Sequence, residues 1–150
     1  MKTTKVQLDR IRILIEELEK LRKDNPKGKF NMGIWCDLEF ARTKTKLQKQ
    51  IMEATKNPCG TAACLAGKAG LMPRFRRMGF KWTAHSSGYA DFSYKGNLGD
   101  DAVKAFFGYD VFTDVFLNTN EIKTLFQGIN ALRQFVEDED LMLPVADAAT

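Results

Sequence analysis

The chain has 150 residues, 44% hydrophobic and 28% charged, with a net charge of +4. That length suits one domain, and the balance is that of a globular chain, which excludes a disordered or low-complexity protein. No apolar run approaches the ~20 residues that span a bilayer, and Met1-Lys2-Thr3-Thr4-Lys5 leads into a charged amphipathic segment where a secretory leader has an apolar core.

The first predicted element runs from about Lys5 to Lys23. Val6, Leu8, Ile11, Ile13, Leu14, Ile15, Leu18 and Leu21 recur at three and four residues, which predicts an amphipathic helix. Asn25-Pro26-Lys27-Gly28 stops it. Two apolar seams on helix 5–23 also suit a homodimer, although covering the rest of the domain is the commoner use. Phe30-Asn31-Met32-Gly33-Ile34-Trp35-Cys36 reads as a short strand or ordered loop on the core. Residues 37–56 read as a basic helix with Leu38, Phe40, Leu47, Ile51 and Met52 as its apolar contacts, weakened near Thr43 and Thr45.

Asn57-Pro58 marks a turn before a central helix, Thr61 to about Met72, capped by the Thr61 hydroxyl. Ala62, Ala63, Cys64, Leu65, Ala66, Ala69 and Leu71 leave almost no polar face, so this helix is expected to be buried. Pro73 is expected to end it. The densest basic cluster follows, Arg74-Phe75-Arg76-Arg77-Met78. Phe80–Ala84 and Tyr89–Tyr94 alternate with period two around His85-Ser86-Ser87-Gly88 and predict a β-hairpin, with Phe80, Trp82 and Ala84 on one face and Ala90, Phe92 and Tyr94 on another.

Gly96-Asn97-Leu98-Gly99 reads as a loop. Asp100-Asp101 opens a helix that Gly108 ends. Asp110 to Leu117 reads as a short apolar turn or helix. A last helix is predicted over 121–137, with Glu137-Asp138-Glu139-Asp140 fraying its C-terminus. The expected architecture is α+β, mainly α: about five helices around a buried small-residue helix, with one β-hairpin. It forms a single domain over 1–143 with a disordered tail, 144–150.

Charge is distributed unevenly. Residues 1–81 hold 19 Lys/Arg against 8 Asp/Glu, a net +11, and residues 82–150 hold 4 against 11, a net −7. Such polarity suits an anionic partner, or two halves that attract each other within one fold. No basic run is interleaved with aromatics as in a nucleic-acid module, so nucleic acid is not the expected partner.

Three candidate sites follow from residue chemistry. Cys59 stands just before a predicted helix start, where bare amides lower a thiol pKa, and His85, the one histidine, is the available base. This run resembles the nucleophile segment of papain-like cysteine peptidases, although Gln48 and Gln50 sit on a basic helix and supply no upstream oxyanion glutamine. A structural role for Cys59 is the simpler reading, and Cys64 reads as core. Cys36, Cys59, Cys64 and His85 form a zinc set on paper. Only Cys59 and Cys64, with four residues between them, have the gap usual in a structural site, so no metal is expected, and the odd count of three cysteines predicts reduced thiols. Third, Gly60 and Thr61 at a helix N-terminus, joined by Lys68, Arg74, Arg76 and Arg77, suit a small anion such as a nucleotide.

Three pieces occur in fixed order: Phe30-Asn31-Met32-x-x-Trp35, Cys59-Gly60-Thr61-x-x-Cys64-x-Ala66-Gly67-x-Ala69, and Ala105-Phe106-Phe107-Gly108 before Phe112 and Phe116. They resemble a widespread family of small bacterial and phage proteins of unknown function with FDMxxW-like and CGTxxCxAGxA-like motifs. Here Asn31 stands where Asp is common, and Lys68 where an aromatic or His is usual. The resemblance implies a fold and no activity. Together these readings lead to an expected non-enzymatic binding or inhibitor protein. It would be phage-encoded and cytoplasmic, without cofactor, and act on a host defence protein or sequester a small anionic ligand. A cysteine-dependent hydrolase or transferase using Cys59 and His85 is the alternative.

Overall fold

Thr4 starts the first helix with a reciprocal cap. Its hydroxyl accepts the Gln7 amide at 3.1 Å, and Gln7 Oε1 accepts the Thr4 amide at 3.0 Å. Helix α1 then runs Lys5–Asp24 in this computed structural model, which describes residues 2–24, 44–56, 64–84 and 90–141. Phe30–Cys36, the 37–43 part of the second predicted helix, the Asn57-Pro58 turn, the His85–Gly88 connection and the tail 144–150 lie outside the described residues. Leu8, Ile11, Leu14 and Leu18 are buried, packed chiefly on the last helix, and Ile13, Ile15 and Leu21 also lie against the core. Most of the apolar positions of helix 5–23 are thus used within the chain, while Val6 is exposed.

Helix α2, Lys44–Lys56, turns Leu47 and Ile51 inward, one turn apart. Helix α3 spans Leu65–Leu71 and is buried along its whole length, as its small residues predict. Its start differs from expectation. Cys64 is extended, with ψ −178°, and serves as the N-cap with its sulfur 3.4 Å from the Gly67 amide, so this helix opens at Leu65, while the predicted start at Thr61 lies outside the described residues. Pro73 separates α3 from another helix rather than from coil. After an extended Met72 it takes the first position of α4, Pro73–Arg77, where its missing N–H costs nothing.

The sheet is antiparallel in the order β1 (Lys81–Ala84), β2 (Ala90–Tyr94), β3 (Asn97–Leu98). Trp82 lies opposite Phe92, so the hairpin's apolar side chains share one face, where sequence alternation alone had assigned two. The third strand falls in the stretch read as a loop. Lys95 and Gly96, at φ 47° and 83°, make the two-residue turn that returns the chain to it.

Helix α5 is Asp100–Phe107, ended by Gly108 at φ 110°. The apolar stretch after it is helix α6, Tyr109–Val111, running on into a π-helical turn, Phe112–Phe116. Helix α7 is Leu125–Leu141. It starts four residues later than its periodicity suggests, because Thr124 and Gln127 form a second reciprocal cap at 3.1 Å both ways. Its acidic end does not fray: the helix continues through Leu141, and Arg12 of α1 holds Asp140 at 2.6 Å. A fully buried aromatic group, Phe75, Phe80, Phe92, Phe106 and Phe107, joins α4, the sheet and α5. Arg10 closes it from α1, donating to the Phe106 carbonyl at 3.0 Å and the Tyr94 hydroxyl at 2.9 Å. The result is the expected α+β, mainly helical architecture.

A candidate anion cleft between α2 and β1

Of the residues expected to form one anion site, the four that are described, Lys68, Arg74, Arg76 and Arg77, do not converge. Cys59, Gly60, Thr61 and His85 lie outside the described residues, as does Cys36. Lys68, expected to add surface charge, is only 2% exposed inside α3 and engaged within the fold. Its helix is small-residue on all sides, so no solvent-facing position was open to it. Arg76 diverges from Arg74 and Arg77, because neighbours one and two apart on a helix point to different sides. Arg74 reaches α1, 3.5 Å from Glu16 and 3.4 Å from Glu17. Arg77 is exposed. Arg76 lines a cavity.

That cavity is a cleft of about 480 Å³ lined by Gln48, Ile51, Met52, Arg76, Lys81, Trp82, Thr83 and Ala84. Gln48, Ile51 and Met52 stand three and four apart and form one wall from a single face of α2. Strand β1 ends the sheet order and forms the other wall. Trp82 is fixed from behind: its indole N–H donates to the Gly67 carbonyl at 3.0 Å, and its ring packs on Phe92 with centroids 4.1 Å apart. Gly70 makes room for it, since a Cβ there would sit 2.7 Å from Trp82 Cδ1. The small residues of α3 therefore set the floor of the cleft. The Thr83 hydroxyl donates to the Asp91 carbonyl at 3.3 Å, across the hairpin.

Arg76 carries one of the cleft's positive charges. Its Nη1 is buried and has no hydrogen-bond partner, and its Nη2 meets only the Met52 sulfur, at 3.9 Å, among the described residues. A thioether is a weak acceptor. Burial pulls the guanidinium pKa down from the usual arginine range, yet arginine stays protonated at neutral pH. A buried guanidinium N–H without an acceptor is costly, and an oxyanion is its natural complement. Lys81 is exposed at the rim and adds a second positive charge.

Elsewhere, burial pushes the Cys64 thiol pKa up, against smaller opposing effects of the amides of Gly67, Ala66 and its own residue. That is the environment of a packing thiol and not of a nucleophile. Among the described residues no group of three or more His, Cys, Asp or Glu side chains could hold a metal ion, and no described helix is long and apolar enough to cross a membrane. No family model, no curated protein and no solved structure matches the chain.

The cleft can bind: it offers an apolar floor, one half-buried cation, one exposed cation and a side-chain amide. Sequence reasoning singled out Arg76 but missed Gln48, Lys81, Thr83 and the walls they share. The one local signal was the Gln48, Ile51, Met52 spacing on an otherwise basic helix.

Proposed function

We propose that the protein is a non-enzymatic binding protein that holds a small anionic molecule in the α2–β1 cleft and acts by sequestering it. The observation that carries this reading is Arg76 Nη1, a buried guanidinium nitrogen without a hydrogen-bond acceptor on a residue that lines an open cleft. Further support comes from the volume, which falls in the range of small-molecule sites, and from an apolar lining with a few placed polar groups. In the phage or mobile-element setting that the sequence motifs suggest, occupancy of this kind withholds an anion from the host. Occupation of a host protein has less support, since among the described residues the exposed large apolar side chains outside the cleft, Val6, Met78, Leu98, Tyr109, Leu117, Phe126 and Leu141, are dispersed along the chain, with Phe126 and Leu141 at opposite ends of α7.

The test is equilibrium binding to inorganic phosphate, adenosine monophosphate and decanoate, with the bound ligand recovered and weighed by mass spectrometry. The expected outcome is saturable binding of at least one of these anions, recovered unchanged, and weakened about tenfold or more by Arg76→Met. Turnover of a ligand that disappears in Cys59→Ala would instead establish the cysteine-dependent alternative.

A further inference from the structure

Resting on that reading, the geometry points to the class of ligand: an amphipathic organic carboxylate, with its apolar body on the cleft floor and its carboxylate on Arg76. Two features exclude a better fit for nucleotides. First, a base needs an exposed aromatic face on which to stack. Trp82 offers none, being 5% exposed with its ring packed on Phe92 and its N–H committed to Gly67. Second, the cleft brings two cations, Arg76 and Lys81, to an otherwise largely apolar lining, and Lys81 lies at the solvent rim where water screens it. That suits one negative charge better than a polyphosphate.

What the lining does offer is aliphatic surface and a movable thioether. Ile51, Ala84 and the edge of Trp82 form an apolar floor. Met52 is 51% exposed, unbranched and flexible, suited to closing over an irregular apolar chain. Its sulfur now rests against Arg76 Nη2. Swinging it aside exposes the guanidinium fork, and a carboxylate replaces a weak acceptor with a strong, charge-assisted one. Met52 thus acts as a gate that the ligand's own headgroup displaces.

Titration calorimetry with hexanoate, octanoate and decanoate, beside octanol, adenosine monophosphate and inorganic phosphate, tests this. The expected result is affinity rising about fourfold per methylene, octanoate binding at least tenfold tighter than octanol, and decanoate tighter than the nucleotide. Met52→Glu places a carboxylate beside the guanidinium from an exposed position, so it is expected to keep the fold and block decanoate. Arg76→Lys, which keeps the charge and loses the fork, is expected to weaken decanoate. Affinity independent of chain length, or tighter binding of the nucleotide, overturns the carboxylate assignment and leaves the anion-binding reading standing. Binding of none of the anions overturns both, as does decanoate binding unaffected by Met52→Glu and Arg76→Met.

Discussion

Arg10, Arg74 and Arg76 carry the same side chain and have three different fates, fixed by what surrounds each. Arg10 is spent on a carbonyl and a hydroxyl in the aromatic core, with its guanidinium carbon 4.3 Å above the Phe106 ring. Arg74 pairs with α1 carboxylates at a surface where such pairs contribute little. Arg76 is half-buried, and its Nη1 is left without an acceptor. Glu139 of α7 shows a different imbalance. Its carboxyl pKa is raised, first by burial and then by Asp110, Asp114 and Asp138, with Lys2 opposing. A raised folded pKa means that the protonated form is favoured in the fold. The stability from this group is therefore present below the ordinary carboxylate range and lost as pH rises through the raised value. Glu139→Gln is expected to stabilise the protein at neutral pH and to change nothing in acid. Urea unfolding at the two pH values checks this, and equal effects at both would contradict the assignment.

At the scale of elements, the small residues of α3 are what position the cleft. Gly70→Ala gains up to about 1 kcal/mol of helix propensity but drives a methyl to 2.7 Å from Trp82 Cδ1 and 3.1 Å from Phe92. Both rings are buried and cannot retreat cheaply, so a net loss of about 1–3 kcal/mol is expected. Gly128→Ala in α7 meets only the Leu65 methyls, the nearest at 2.8 Å, and a side-chain end yields more readily than a packed indole. The expected order in urea unfolding is that Gly70→Ala costs more than Gly128→Ala, and the reverse order would show that α3 does not seat the tryptophan. Much of this level was legible in the sequence. The α1 periodicity, the buried small-residue helix and the hairpin all followed from residue spacing. The errors were at boundaries, where the deciding forces were specific hydrogen bonds. Thr124-x-x-Gln127 was present as a capping box and fixes the α7 start. The Cys64 cap and the Lys95-Gly96 turn depend on backbone angles that periodicity does not encode.

For the whole molecule, the charge polarity of the sequence is partly resolved inside the fold. Arg12 of the basic half holds Asp140 of the acidic half, and Arg133 reaches Glu19 at 3.2 Å in the opposite sense. What remains is local, a basic cleft built from α2, α4 and β1. Its legibility in the sequence was limited for a physical reason. The basic cluster at 74–77 was visible as a run, but helical geometry turns Arg76 away from Arg74 and Arg77, and the partner wall lies more than twenty residues upstream on α2. The central claim is that this cleft, and not the Cys59–Thr61 segment, receives the ligand. Amide and indole chemical shifts of isotope-labelled protein, followed during titration with decanoate, test it most directly. The account predicts saturable shifts concentrated at Gln48–Met52, Arg76 and Lys81–Ala84, including the Trp82 indole N–H. Shifts concentrated at Cys59–Thr61, or none at the cleft at saturating ligand, would contradict it.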